Sequence, residues 1–218
     1  MTPVTTTFTH SSEQSQRLAH DMRVRWALEE VGQPYDIRWL PFQAIKDSAH
    51  PAQSSVKSIP TDEEGNVSPF EPGATVLHIA ASHSGLLPSD EGARTRAVTW
   101  LFTALNTVEP LIIELEEVSL LEHGRSLHAQ LEERSRNQLE SLSCRLGHAD
   151  WLEGEFSVGD LMMVTVLSRL EGMDILAAYP NIDAYIARGQ ARPAYRRAFE
   201  AQLTVSRELR DQSLWPVD

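Results

Sequence analysis

The sequence predicts an α/β domain followed by an all-α helical bundle, with the division near Pro88. Three observations carry this prediction. Short runs rich in Val, Thr, Ile and aromatic residues, the signature of strands, are confined to the part before Pro88. A single helical pattern lies between the first two of these runs, so they should pair in parallel through a crossover. Beyond "LLPSDEGARTRA" the strand signals stop and apolar residues recur at helical spacing. The expected domains are 1–87 and 88–218.

In chain order, Val4–Phe8 reads as a strand, followed by the polar stretch "THSSEQSQRLAHD". The stretch "MRVRWALEEVGQ" places Val24, Trp26, Ala27, Leu28 and Val31 at helical spacing, and Gly32 closes the helix. Tyr35–Leu40 reads as the second strand, and 41–58 as irregular and polar. Ile59-Pro60 opens a new element, and "TDEEGNVSPF" reads as a hairpin turning at Gly65-Asn66. Pro69 cannot donate to a ladder, which puts its strand at a sheet edge. The stretch "PGATVLHIAASHSG" reads as a short helix that Pro72 can start, because the first-turn amide has no partner anyway.

The second half shows helical patterns over 90–124, 125–148, 157–172, 180–189 and 192–210. Pro110 should kink or end the first of these. The acidic run "ELEEVSLLEHG" reads as a solvated helix face. In "FSVGDLMM", Ser157 is an N-cap and Asp160, three residues on, completes a capping-box-like pair, while Phe156 is placed to staple against Leu161. Asp160 is therefore assigned to folding rather than catalysis, and its loss should cost about 1 kcal/mol or more.

Composition narrows the function classes. Hydrophobic residues make up 41 % and charged residues 23 %, values of an ordinary globular chain. A net charge of −12 repels phosphate backbones and anionic bilayers, which argues against nucleic-acid and membrane partners. The single cysteine, Cys144, permits neither an internal disulfide nor a cysteine metal cage and suits a reducing compartment. Its place in the helical run "NQLESLSCRL" predicts a buried thiol. The N-terminus has no basic start or apolar core, and no apolar run approaches the ~20 residues of a membrane span. A cytoplasmic location is the expectation. His78 and His83 are not at ligand spacing on one helical face, and no metal motif, P-loop, dinucleotide glycine fingerprint or Ser-His-Asp signature occurs.

Three stretches carry a resemblance. They are "RVRWALEEVGQPYDI", "IPTDEEGNVSPFEPGATVLHIA", and "FSVGDLMM" with "YPNIDAYIARGQARPAYRRAF". In this order and spacing the chain resembles the glutathione S-transferase family over nearly its whole length. The resemblance implies a thioredoxin-like first domain joined to the helical bundle. It also implies glutathione as the bound cofactor, no metal, a small-molecule electrophile and a homodimer. It places Ile59 and Pro60 at the family's cis-proline, where the Ile59 backbone would pair with the cysteinyl part of glutathione; otherwise the pair is a simple strand start. It places Glu71 at the acid that holds the γ-glutamyl end. The next position is usually Ser or Thr, whose hydroxyl and N–H bind a carboxylate at the helix N-terminus. Here it is Pro72, which offers neither. Ser54, Ser55, Val56 and Lys57 stand where the family often has N-P-x-G, and Asp62 stands where it has an apolar strand residue.

Glutathione chemistry requires a thiolate, stabilised by a donor near a helix N-terminus. The family uses Tyr, Ser or Cys there, but this chain has no Tyr before Tyr35 and no Cys before Cys144. The candidates are Ser11, Ser12 and Ser15, together with His20, which is reached by counting back from "RVRW" without a gap. Arg17 could offer a charge to an anionic ligand. By the same resemblance the helix "RAVTWLFTALNTVEP" faces the acceptor, with Trp100, Thr103, Asn106 and Thr107 as candidates; Trp100 suits a core equally well. Three functions follow: a glutathione-dependent enzyme, a member of the fold that no longer uses glutathione, and a scaffold acting through the helical domain.

Overall fold

A computed structural model describes residues 4–8, 20–40, 71–119 and 125–211. The chain divides into two compact units, one of Met1–Leu86 with Arg192–Asp218 and the other of Leu87–Ala191. The last segment thus groups with the first unit, whereas helical periodicity alone had placed it with the bundle.

In the first unit, β1 (Val4–Phe8) and β2 (Asp36–Leu40) pair in parallel, from Val4 opposite Asp36 to Phe8 opposite Leu40. Helix α1 (His20–Val31) is the crossover between them. The stretch 61–70, where a hairpin is expected, lies outside the described residues. Helix α2 (Pro72–Ser82) and the C-terminal helix α8 (Pro193–Asp211) both pack on α1. As a result α1 is buried on every side from Asp21 to Leu28. Buried Arg25 is held by Asp21 one turn back, at 3.0 Å.

The docking of α8 on α1 explains the grouping. The Trp26 ring is fully buried and meets Tyr195 edge-on at 5.0 Å, and Phe199 stacks behind Tyr195. Trp26 Nε1 donates to Glu30 Oε1 at 2.7 Å. Arg192 grips the same carboxylate with two parallel bonds of 2.6 and 2.8 Å, the fork geometry that makes Arg–carboxylate pairs strong. Arg197 adds a bond to Glu29 at 2.7 Å.

In the second unit, α3 (Glu91–Thr103) starts at an N-cap, where Asp90 accepts the Ala93 N–H at 2.7 Å. Pro110 does not end this helix. Instead Ala104–Val108 form a π turn, with the Glu109 N–H reaching back five residues to the Ala104 carbonyl, and α4 (Glu109–Ser119) continues beyond it. The reason is local. Proline has no N–H, and its ring collides with the carbonyl four residues earlier, so the backbone widens by one residue ahead of it. Together Glu91–Ser119 make a helical run of 29 residues with a mean hydropathy of 1.2 in its most apolar window. By length and composition alone such a helix could cross a bilayer, a test that the core helix of a globular unit passes equally. Within the unit its Ala97, Leu101 and Ala104 are buried.

Helix α5 (Arg125–Leu146) lies along α4. Its buried residues Leu131, Ser135, Leu139, Leu142 and Leu146 follow helical spacing. Cys144 falls outside that stripe and is exposed, contrary to the buried thiol expected.

Helix α6 (Val158–Leu167) is buried throughout and packs against α3 and α7 (Pro180–Gln190). Two glycines permit the close approach. A Cβ on Gly159 would lie 2.7 Å from Trp100 Cβ and 2.8 Å from the Ala97 carbonyl, and one on Gly189 would lie 2.7 Å from both Val164 methyls. The helix ends in short 3-10 turns, Ser168–Leu170 and Asp174–Ala178. The capping box forms as the sequence predicts, and the Asp160 carboxylate does more than cap. Oδ2 accepts from the Ser157 N–H and hydroxyl, both at 3.0 Å, and Oδ1 accepts from the Leu152 N–H and Tyr185 hydroxyl, both at 2.9 Å. Phe156 lies edge-on to Trp151 at 4.8 Å.

Candidate functional site

The described part of the expected glutathione end is the start of α2. Glu71 is the N-cap, with extended backbone (φ −98°, ψ 130°), and its side chain is exposed. Its carbonyl accepts the Thr75 N–H at 2.9 Å and the Thr75 hydroxyl at 3.0 Å, which anchors the first turn. Pro72 occupies N1 and is buried. Its ring suits the helix start but removes the first amide, so the open donors of this turn are the N–H groups of Gly73 and Ala74. An anion therefore meets a shorter set of donors than a Ser or Thr at this position would provide.

His20 is the first residue of α1. Ser11, Ser12, Ser15, Arg17, Ile59 and Pro60 lie outside the described residues. Tyr35 follows α1 and is a poor source of an anion. Burial, opposed by Arg25 and reinforced by Glu29, pushes its phenol up to about 12.

In the second unit, the structure brings three of the four acceptor-side candidates together. Thr103, Asn106 and Thr107 line an open groove of about 620 Å³ along α3. Arg94 stands at its N-terminal end, its Nε donating to the Pro88 carbonyl at 3.1 Å. Val98 and Phe102 form the apolar middle, and Phe102 is 47 % exposed. Thr95, Thr99 and Thr103 each donate the hydroxyl hydrogen to the carbonyl one turn back, at 2.8–2.9 Å. Their methyls and oxygen lone pairs remain for a ligand. A second groove of about 510 Å³ runs between α4 and α5, and Asn106 and Thr107 belong to both.

The π turn makes this sharing possible. It is wider than an α turn, so residues after it are rotated less far round the axis. Sequence reading singled out Asn106 and Thr107, yet it had no way to include Phe102 or Arg94. The Thr95-Thr99-Thr103-Thr107 spacing of four was the available signal.

Trp100 does not join them. Its Nε1 donates to Glu153 Oε1 at 2.9 Å, and the Arg145 guanidinium lies over its ring at 5.9 Å. Arg96 and Arg145 also bind Glu153, at 2.6 and 2.7 Å, and the Glu153 side chain is only 7 % exposed. Trp100 is thus structural: it ties α3 to the turn before α6. Burial alone would raise the Glu153 carboxyl, but donors from Arg96, Trp100 and Arg145 outweigh it and the pKa is lowered. A lowered folded-state pKa contributes stability above the unfolded value of about 4.3, and that stability is lost as pH falls through the folded value. Glu153→Gln should therefore cost about 1 kcal/mol at pH 7, because both arginines are largely exposed. The gap to wild type should close on acidification. Thermal melts at pH 7 and pH 3 check this, and a gap of equal size at both refutes it.

Among the described residues, no three His, Cys, Asp or Glu side chains converge on a point that could hold a metal.

No family model matches the chain. Glutathione S-transferase 4 of Zea mays is 26 % identical over 186 residues, covering 79 % of this chain and 83 % of that protein. Among solved structures, a glutathione transferase family member from Pseudomonas fluorescens, with two glutathione bound, superposes with a TM-score of 0.76 at 20 % identity, covering 91 % of this chain and 92 % of that one. Glutathione transferase F7 from Populus trichocarpa gives 0.75 at 17 % identity, covering 92 % and 99 %. The likeness to the glutathione S-transferase superfamily is strong in structure and weak in sequence, and what it establishes is the overall fold.

Proposed function

We propose, with the glutathione S-transferase fold as premise, that this chain is a transferase-like enzyme that brings glutathione to a small electrophilic substrate. Conjugation, thiol-dependent cleavage and isomerisation all begin in this way. The observation that most supports the reading is the likeness in fold, over 91 % of the chain, to a protein solved with glutathione bound. In this reading Ile59, Pro60, Glu71 and Arg17 hold the tripeptide, one of Ser11, Ser12, Ser15 and His20 stabilises the thiolate, and the α3 groove takes the electrophile. A thioredoxin-like first domain, a helical second domain, a cytoplasmic location and a homodimer belong to the same proposal. Calorimetric titration with glutathione into the millimolar range and turnover of a generic aryl halide test it. Absence of both signals refutes it.

Pro72 favours a second reading, in which the fold is kept but glutathione is not used. The two readings diverge at one substitution. If glutathione is the ligand, Pro72→Ser restores an N–H and a hydroxyl to the α2 N-terminus and should tighten binding about tenfold, as one charge-assisted hydrogen bond would. Unchanged binding in the same titration supports the second reading.

A further inference from the structure

We propose that the α3 groove takes an aryl-bearing carboxylate, with the anion at Arg94 and the ring at Phe102. This deepens the reading of that groove as the acceptor face and rests on it. Of the residues lining the groove, Arg94 alone carries a formal charge. Its Nε donates to the Pro88 carbonyl at 3.1 Å, which steadies the guanidinium and leaves its two terminal nitrogens for a carboxylate. Among the described residues no carboxylate forms an ion pair with Arg94, and its neighbour Asp90 is engaged as the N-cap, accepting the Ala93 N–H at 2.7 Å.

The rest of the lining fixes which end of the ligand goes where. Thr95, Thr99 and Thr103 give their hydroxyl hydrogens to carbonyls of their own helix, so between Arg94 and Asn106 no lining side chain offers a proton donor. What this stretch presents is threonine methyls, Val98 and the half-exposed Phe102 ring. A methylene chain suits it and an anion does not, because an anion there would be desolvated without a hydrogen bond. Phe102 lies eight residues after Arg94, about 12 Å along the helix axis. An extended chain of about eight carbons, advancing roughly 1.3 Å per bond, spans most of that distance and seats a terminal ring on Phe102.

The test uses 8-phenyloctanoate and its neutral amide, 8-phenyloctanamide, as probes, with the whole chain and without glutathione, by equilibrium dialysis. The two differ in charge and little in shape. The wild type should bind the acid about fivefold more tightly, the contribution of a well-placed exposed charge pair. Arg94→Gln removes the charge but can still donate to the Pro88 carbonyl. It should weaken the acid alone and bring the two affinities to within twofold. Phe102→Ala should weaken both probes about fivefold, as loss of one aromatic contact would, and preserve their ratio. Equal affinities in the wild type, no binding of either probe, a preference that survives Arg94→Gln, or affinities untouched by Phe102→Ala overturns the proposal. Because glutathione is absent, these results stand apart from the glutathione titration.

Discussion

Asp160→Ala should destabilise the chain by at least about 3 kcal/mol in chemical denaturation. The substitution strands two buried backbone N–H groups, of Leu152 and Ser157, and two buried hydroxyls, of Ser157 and Tyr185. Each buried donor left without an acceptor costs roughly 1–3 kcal/mol, and the hydroxyls can partly rotate to other partners. This exceeds the single cap that sequence spacing implies. Asp160→Asn is a finer test. Whichever way the amide turns, its NH2 opposes one backbone N–H that cannot rotate away, so a cost of about 1–3 kcal/mol should remain. The pH dependence also has a definite sign. Burial raises the Asp160 carboxyl, and its hydrogen bonds offset this only in part. A raised folded-state pKa adds stability below the unfolded value of about 3.9 and loses it as pH rises through the folded value. The gap between wild type and Asp160→Ala should therefore widen on acidification, the reverse of Glu153→Gln. A loss under 1 kcal/mol would mean that this carboxylate does not hold the network.

Trp26→Ala should cost about 3–5 kcal/mol, the range for deleting a large buried aromatic. Its fully buried ring carries the contact with Tyr195, and its indole N–H is one of three donors on Glu30. Trp26→Phe keeps most of the ring and should cost about 1–2 kcal/mol, with Arg192 still gripping the carboxylate. Arg192→Ala should fall between them, at about 2–3 kcal/mol, because the Glu30 side chain is 9 % exposed and loses its counter-charge while Arg192 itself is 30 % exposed. Midpoints of guanidinium unfolding for the three variants check the order. If Trp26→Phe proved as damaging as Trp26→Ala, the indole bond rather than the packing would be the dominant contribution.

Much of the fold was legible because its signals are local. Gly32 ends α1, Pro72 starts α2, and Ser157 with Asp160 starts α6, since turns and caps depend on residues within four positions of each other. The parallel pairing of β1 and β2 was also legible, because a helix between two strands leaves little other topology. Thr103, Asn106 and Thr107 line one groove because they share one helical run. The errors lie where a distant partner decides. Cys144 sits in a helical run that looks half-apolar, but the buried stripe runs through Leu139, Leu142 and Leu146 and passes it by. Of the two readings open for Trp100, its bond to Glu153, 53 positions away, favours the core. Pro110 is a local exception: its missing N–H and its ring widen the helix by one residue instead of breaking it.

By itself the sequence determined an α/β segment followed by helices, the caps that bound them, and a proline at the first position of α2. Only the tertiary structure decided that Arg192 and the helix after it belong to the first unit, that Asp160 serves four donors rather than one, and that Asn106 opens onto two grooves. The physical reason is range. Backbone propensity and capping act over one helical turn, whereas burial, ion pairing and groove shape depend on which distant side chains the fold brings within a few ångströms.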